Sequence, residues 1–107
     1  MGRIADPLVR RFAAKYLSRL RLLYRPKLIL VFGSRAKGEA LEDSDLDLLV
    51  VSDQFRGTPF LERASKLLAE LDLPFSADVL CYTPEEFARK SRELGIVSQA
   101  LEEGLRL

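Results

Sequence analysis

The chain has 107 residues, of which 48% are hydrophobic and 31% are charged. This balance predicts one soluble globular domain over residues 1–107 and excludes a disordered chain. One cysteine and no histidine exclude an internal disulfide, a cysteine zinc cage and a Ser-His-Asp triad. No apolar run reaches the ~18–20 residues of a membrane span. Because the first residues lack the apolar core of a secretory signal, we expect a cytoplasmic protein with no membrane partner.

Without histidine, any chemistry must use carboxylate, hydroxyl, lysine or arginine side chains, for which a hard cation such as magnesium is the natural cofactor. The net charge of +1 hides an uneven distribution. Residues 1–30 carry eight basic side chains and one acidic one, whereas the rest of the chain carries nine basic and fifteen acidic ones. A basic first helix can face an anionic ligand, a nucleic acid or an acidic partner, or it can be a solvated helix face.

The first element in chain order is an amphipathic helix. Asp6 and Pro7 have the pattern of an N-cap and a first-turn proline. From Leu8 to Tyr24, apolar residues recur at steps of three and four, which predicts one helix that ends before Pro26.

Three strands and three further helices follow. The apolar run 27–32 predicts a buried strand, the polar stretch 33–44 a loop with room for one helical turn, and the run 45–51 a second strand. After a turn at 53–57, Thr58 and Pro59 open a helix that Pro74 breaks, and residues 75–82 form a third strand. Thr83 and Glu86 have the pattern of a capping box. A last helix is predicted over 93–103, with a bend near Gly95.

Two acidic residues open the second predicted strand. Asp45 and Asp47 are two residues apart, so on a strand they project from one face with Cα atoms roughly 6–7 Å apart. Two carboxylates ~4 Å apart repel by about 4 kcal/mol at an effective dielectric constant of about 20. A divalent metal ion offsets this repulsion, and two metal ions can clamp the oxygens of a transferring phosphoryl group. The alternative is that both acids are solubilising residues at the wet end of the strand.

A glycine–serine pair follows the first predicted strand. Gly33 can take a positive φ and let a ligand approach the backbone, and the N–H groups of such a turn, with the Ser34 hydroxyl, can hold an anion. Arg35 and Lys37 can add positive charge for phosphate oxygens. The alternative is an ordinary loop with solvated charges. Phosphate donors opposite paired acids are the arrangement that phosphoryl or nucleotidyl transfer needs.

Asp78 is the candidate third member of the site. It lies in the apolar strand 75–82, on the face of Ser76 and Leu80. A buried carboxylate without a partner costs several kcal/mol, so Asp78 needs a metal ion, a basic partner or an exposed edge. We interpret it as a metal ligand or general base, and exposure at an edge stays open.

The residues around Gly33 and Asp45 resemble those of a known family. Gly33-Ser34, ten residues, and then Asp45-x-Asp47 match the G-S-x10-D-x-D signature of the nucleotidyltransferase fold related to DNA polymerase beta. The run GSRAKGEALEDSDLDLLV looks like the minimal nucleotidyltransferase branch. The resemblance covers residues from about 15 to 104. It implies an α/β (α+β) fold with a short mixed β-sheet flanked by about four helices.

The resemblance also implies a site. Asp45 and Asp47 would bind two magnesium ions, Asp78 would complete the site, and Gly33 and Ser34 would hold the triphosphate of ATP. The family often has Arg where this chain has Lys37, and this departure affects only the phosphate contact of that residue.

The minimal branch is commonly paired with a HEPN-domain protein in toxin–antitoxin modules. The resemblance therefore implies an antitoxin that transfers AMP from ATP to a tyrosine of the HEPN ribonuclease toxin, an activity of the 2.7.7 class, with Asp78 taking the acceptor proton. We expect homo- or hetero-oligomers and no direct nucleic-acid partner. Two alternatives stay open: a non-catalytic module that covers the toxin, and transfer to a small molecule with the help of a separate helical partner.

Overall fold

The computed structural model describes residues 4–107, so the first three residues of the expected domain, including Arg3, lie outside it. A four-stranded sheet in the order β3-β2-β1-β4 forms its centre. The strands are β1 (Leu28–Phe32), β2 (Leu46–Val51), β3 (Ala77–Tyr82) and β4 (Leu105–Arg106). β1 pairs antiparallel with β2 and β4, whereas β2 and β3 are parallel. The expected mixed sheet is thus confirmed.

Helices cover the sheet on both sides. They are α1 (Pro7–Lys15), α2 (Leu17–Tyr24), α3 (Ser34–Lys37), α4 (Phe60–Leu71), α5 (Pro84–Ser91) and α6 (Ile96–Glu103), with a 3-10 turn at Asp53–Phe55. Within residues 4–107 there are therefore six α-helices where the sequence predicted about four. The difference arises because the first predicted helix is split and because α3 forms the single turn for which the 33–44 loop had room. Among these helices, none combines the length and apolar character that a bilayer crossing needs.

The prediction of one unbroken first helix is wrong at Tyr16. Its backbone, at φ −123° and ψ −19°, leaves the helical region, and its ring packs on Phe12 and against the edge of Phe75, with centroids 6.4 and 6.0 Å apart. The hydrogen bonds from Tyr16 to Phe12 and from Leu20 to Tyr16 continue across the bend. Apolar spacing therefore stays regular, and periodicity does not reveal the bend.

Other boundaries shift by one to three residues. β2 begins at Leu46, so Asp45 lies just before the strand, and β3 begins at Ala77, two residues later than predicted. The last helix begins at Ile96, directly after the expected bend at Gly95. β4 was not predicted, because two residues carry no recognisable alternation.

The two faces of the sheet are buried by different helices. On one face, alternate β2 residues such as Leu48 and Val50 pack with side chains of α1, α2 and α4. On the opposite face, Leu49 and Val51 pack with Val97 and with other residues near α5 and α6. Because side chains alternate along a strand, Asp47 lies on this second face, where it is half-buried.

A buried arginine joins α4, β3 and α5. Arg63 is 7% exposed and donates to Glu86 Oε1 at 2.6 Å and to the carbonyl oxygens of Cys81 and Thr58. Glu86 also accepts the backbone N–H of Thr83 at 2.8 Å, which confirms the predicted capping box. The Arg63 guanidinium, with the Thr83 N–H, lowers the pKa of Glu86 to about 2 although partial burial opposes the shift.

The first prediction concerns this ion pair. Because its folded pKa lies below the ordinary value, Glu86 stabilises the fold fully above about pH 4.5 and loses that effect as the pH falls toward about 2. Glu86→Gln should lower the free energy of unfolding by about 1–3 kcal/mol at pH 7, and by less at pH 3. Urea unfolding at both pH values measures the difference.

Glu85→Gln is the matched control. Glu85 pairs with Arg56 in an exposed ion pair, so its loss should cost less stability than the loss of Glu86, because solvent screens an exposed pair. A deficit of Glu86→Gln that stays constant from pH 7 to pH 3 would contradict the interpretation.

Candidate functional site

Parallel pairing brings two of the predicted acids together. Asp47 is the second residue of β2, Asp78 is the second residue of β3, and the two are register partners. Neighbouring strands lie about 4.8 Å apart, and register partners project to one face. Asp78 is exposed and Asp47 half-buried. The structure thus places Asp78 beside Asp47, on the face that the sequence predicted.

Asp45 joins this pair from outside the sheet. It is exposed and precedes β2 by one residue, so the strand alternation used to place it does not apply to it. Its charge nevertheless acts on Asp47. Burial raises the pKa of Asp47, and the negative charges of Asp78 and Asp45 raise it further.

The three carboxylates have no basic partner among residues 4–107. None of the ion pairs in this part of the chain includes Asp45, Asp47 or Asp78. Nor does any group of three acidic or cysteine side chains in this described part adopt an arrangement that could by itself hold a metal ion. The site is therefore a concentration of negative charge without a compensating cation from the protein.

Gly33 forms the corner against this charge. It follows β1, whose last residue Phe32 is the register partner of Asp47, and it has φ +73°, the positive value that the sequence predicted. A Cβ atom at Gly33 would collide with Asp47 Oδ2 and would lie 3.3 Å from Asp47 Cγ. Glycine is therefore required both by the backbone conformation and by the carboxylate beside it.

Ser34 and Lys37, at the two ends of α3, lie close to the corner. Ser34 is half-buried at the start of α3. Lys37, at its end, lines a cleft of about 180 Å³ together with Gly33 and Ile96. Its Nζ lies 3.0 Å from Glu103 Oε2, and the hydrogen bond to Glu103 raises the pKa of Lys37. Lys37 is thus near the corner and already paired with an acid.

The expected phosphate contact of Arg35 does not agree with the geometry. Arg35 is buried, and its side chain points away from the corner toward α1 and the loop before β2. Nε donates to the carbonyl oxygen of Ser44, Nη1 to both oxygens of Asp6, and Nη2 to two further carbonyl oxygens. All five N–H groups of a guanidinium are then engaged, so none is left for a phosphate.

Sequence reasoning missed two side chains that contact site residues. Asp6 was predicted as an N-cap, which the structure confirms, but its ion pair with Arg35, 29 residues away, carries no local signal. Glu103, the partner of Lys37, lies on the last helix. Only the packing of α6 on β1 brings it close to the corner.

The second prediction tests the contact between Gly33 and Asp47. Gly33→Ala should cost more stability than Gly38→Ala by about 1–3 kcal/mol for two reasons. Gly33, at φ +73° and ψ −157°, has a backbone conformation that is essentially confined to glycine, whereas Gly38, at φ +75° and ψ 20°, is left-handed helical. In addition, only Gly33 faces another side chain. In an Asp47→Ala background, the part of the excess that comes from the Asp47 carboxylate should disappear, and the part that comes from the backbone of Gly33 should remain. Urea unfolding measures all variants. Equal losses at the two glycines would contradict the close approach.

Comparisons with known proteins identify the family of this chain. The family model described as "Nucleotidyltransferase domain" matches residues 13–107. A Haemophilus influenzae protein named "Probable protein adenylyltransferase MntA" is 36% identical over 76 residues, which cover 69% of this chain and 67% of that protein.

Two solved structures are similar in fold. One, from Sulfolobus solfataricus, is described as a nucleotidyltransferase and aligns with a TM-score of 0.59 at 18% identity, covering 99% of this chain and 89% of its own. The other is a chain of a toxin–antitoxin structure with AMP-PNP, with a TM-score of 0.51 at 25% identity, covering 85% and 68%. The resemblance stated from the GS and DxD residues is confirmed: this chain belongs to the nucleotidyltransferase domain family and is a nucleotidyltransferase.

Proposed function

We propose that this protein transfers AMP from ATP to a protein hydroxyl, and that the acceptor is a tyrosine of a HEPN-type toxin for which the chain serves as antitoxin. The observation that carries the proposal is the pairing of Asp47 with Asp78 beside the Gly33 corner. The named activity of the Haemophilus influenzae relative supports adenylyl transfer to protein. The toxin–antitoxin structure with AMP-PNP, an analogue of ATP, supports both the nucleotide and the partner class. We assign the activity to a single cytoplasmic domain, residues 1–107, that needs neither nucleic acid nor membrane.

The donor chemistry of the three acids suits magnesium, and the exposed carboxylates of Asp45 and Asp78 would have to turn toward the ion to meet on it. Asp45, Asp47 and Asp78 offer carboxylate oxygens, the ligands that a hard divalent cation prefers. Their mutual repulsion, expressed in the raised pKa of Asp47, is the condition that bound cations relieve. Asp45 and Asp78 are exposed, so packing locks neither carboxylate away from a ligand. Two magnesium ions held there would neutralise charge on the transferring phosphoryl group.

The other site residues have separate roles in the proposed reaction. Gly33, which has no side chain, lets the triphosphate approach the backbone, and the Ser34 hydroxyl donates a hydrogen bond to it. Lys37 contributes positive charge at the adjoining cleft. Asp78 is more exposed than Asp47 and accepts the proton of the acceptor hydroxyl. The hydroxyl oxygen bonds to the α-phosphorus of ATP as the bond to the β-phosphate breaks, and pyrophosphate leaves.

The third prediction is that Asp45→Asn with Asp47→Asn abolishes AMP transfer and leaves the fold intact or more stable. Losing the metal-binding carboxylates should slow transfer by at least about 10²–10³-fold, whereas removing like charges relieves repulsion. The measurement is the mass gain of a HEPN toxin after incubation with ATP and magnesium, in units of one AMP.

A double variant of the preceding loop provides the control. Glu42→Gln with Asp43→Asn removes the same number of charges from exposed positions two and three residues before Asp45 and should label the toxin at the wild-type rate. Wild-type labelling by the Asp45→Asn, Asp47→Asn protein would refute the assignment.

A second candidate function is toxin binding without catalysis, which the surface of α1 and α2 favours. Six basic side chains are exposed on α1, on α2 and at Arg25, the C-cap of α2. None of them forms an ion pair within residues 4–107: Arg10, Arg11, Lys15, Arg19, Arg21 and Arg25. Leu22 and Leu23 lie among them, 78% and 41% exposed. Exposed apolar side chains surrounded by arginine are typical of protein interfaces, and an acidic toxin surface would complement them.

The fourth prediction separates binding from catalysis. Arg19→Glu with Leu22→Glu reverses charge and removes apolar contact at positions three apart on α2, which share one helix face. If α2 docks the toxin, this variant should weaken its complex with a HEPN toxin at least about tenfold, as measured by calorimetry without ATP. Arg89→Glu on α5 is the control for charge reversal. Equal affinity of the two variants would contradict docking on α2.

A further inference from the structure

Asp45 is the one acid of the site whose backbone is not held by the sheet. β2 begins at Leu46, and the pairing with β3 begins there as well. Asp47 and Asp78, in contrast, are fixed by ladder hydrogen bonds on neighbouring strands. If Asp45 is to bind the same ligand as these two acids, contacts other than strand pairing must fix the position of its backbone. We propose that Arg35 is a positioning residue that supplies this order, an inference that rests on the proposed function of Asp45.

The Arg35 side chain reaches the peptide group that leads into Asp45. Nε lies 2.9 Å from the carbonyl oxygen of Ser44, and this carbonyl belongs to the same planar peptide unit as the Asp45 nitrogen. On the other side of Asp45, the Leu46 N–H donates to the carbonyl oxygen of Ser76 at 3.1 Å. The peptide units before and after Asp45 are thus both anchored, which restricts the direction of its side chain.

The same guanidinium closes the loop before β2. Nη2 donates to the carbonyl oxygens of Leu41 and Glu42, at 3.3 and 3.0 Å. The Ser44 hydroxyl accepts the Leu41 N–H, and the Ser44 N–H donates to the Leu41 carbonyl. Arg35 therefore donates hydrogen bonds to three carbonyl groups of this turn, those of Leu41, Glu42 and Ser44.

Asp6 holds the guanidinium in place. Its two oxygens lie 3.2 and 3.0 Å from Arg35 Nη1, and the side chains of the pair are only 7% and 9% exposed. Oδ1 also accepts the N–H groups of Leu8 and Val9 at the start of α1. The Arg35 side chain therefore joins the start of α1 to the turn that leads into Asp45.

Arg63 is the matched control for a merely structural role. Like Arg35 it is 7% exposed, bonds a carboxylate, and donates to backbone carbonyl oxygens. It lies on α4 and none of its acceptors adjoins Asp45. Lysine at either position keeps the charge but loses the planar fork, so both Arg→Lys variants should lose stability.

The experiment compares Arg35→Lys with Arg63→Lys in two readouts. The first is hydrogen exchange of the Ser44 and Leu46 amides, which should be faster by about tenfold in Arg35→Lys than in Arg63→Lys. The second is calorimetric binding of Mn²⁺, the probe for the cation, which Arg35→Lys should weaken about five- to tenfold and Arg63→Lys should leave unchanged. Asp6→Asn, which keeps an N-cap residue, should act in the same direction and serves where Arg35→Lys does not fold.

The outcomes separate the two proposals. If the wild type binds no Mn²⁺, the metal role of the acids fails, and the amide exchange alone decides whether Arg35 orders Asp45. If the wild type binds Mn²⁺ and the two Arg→Lys variants change affinity and exchange equally, the inference is overturned. Slower Ser44 and Leu46 amides in Arg35→Lys than in Arg63→Lys would overturn it as well.

Discussion

The parallel pairing of β2 with β3 is the constraint on which the site depends. A register that aligns Leu46 with Ala77 also aligns Asp47 with Asp78, so the packing of apolar side chains on one face sets two carboxylates side by side on the other. A shift of one residue would turn Asp78 to the opposite face. The packing of the core therefore determines how close the two carboxylates lie. Burial of their apolar neighbours keeps the two acids together although their charges repel.

The two ion pairs that involve a buried arginine lie in different parts of the fold. Arg63 and Glu86 join α4 to α5 away from the acids, whereas Arg35 and Asp6 join α1 to the loop before Asp45. Both arginines have their donors satisfied by carboxylate and carbonyl oxygens, as burial of a charge requires. The acids of the site, in contrast, have no basic partner within residues 4–107. This contrast separates the ion pairs that stabilise the fold from the three carboxylates to which we assign ligand binding.

Local pattern was sufficient to predict much of the site. The positive φ of Gly33 and the shared face of Asp78 with Leu80 follow from glycine chemistry and strand alternation, and the structure agrees with both. The contacts of Arg35 could not be predicted, because its partner Asp6 lies 29 residues away and the choice between phosphate and carbonyl acceptors depends on tertiary packing. The bend at Tyr16 and the short strand β4 were not predicted for a related reason, because neither changes the periodicity of the apolar residues.

A crystal structure with magnesium and a non-hydrolysable ATP analogue tests the central claim most directly. We expect carboxylate oxygens of both Asp47 and Asp78 at about 2.1 Å from a magnesium ion, with the triphosphate against the backbone of Gly33. A nucleotide seated instead in the larger cleft of about 580 Å³ beside Arg11 and Phe75, with no metal ion on either acid, would contradict it.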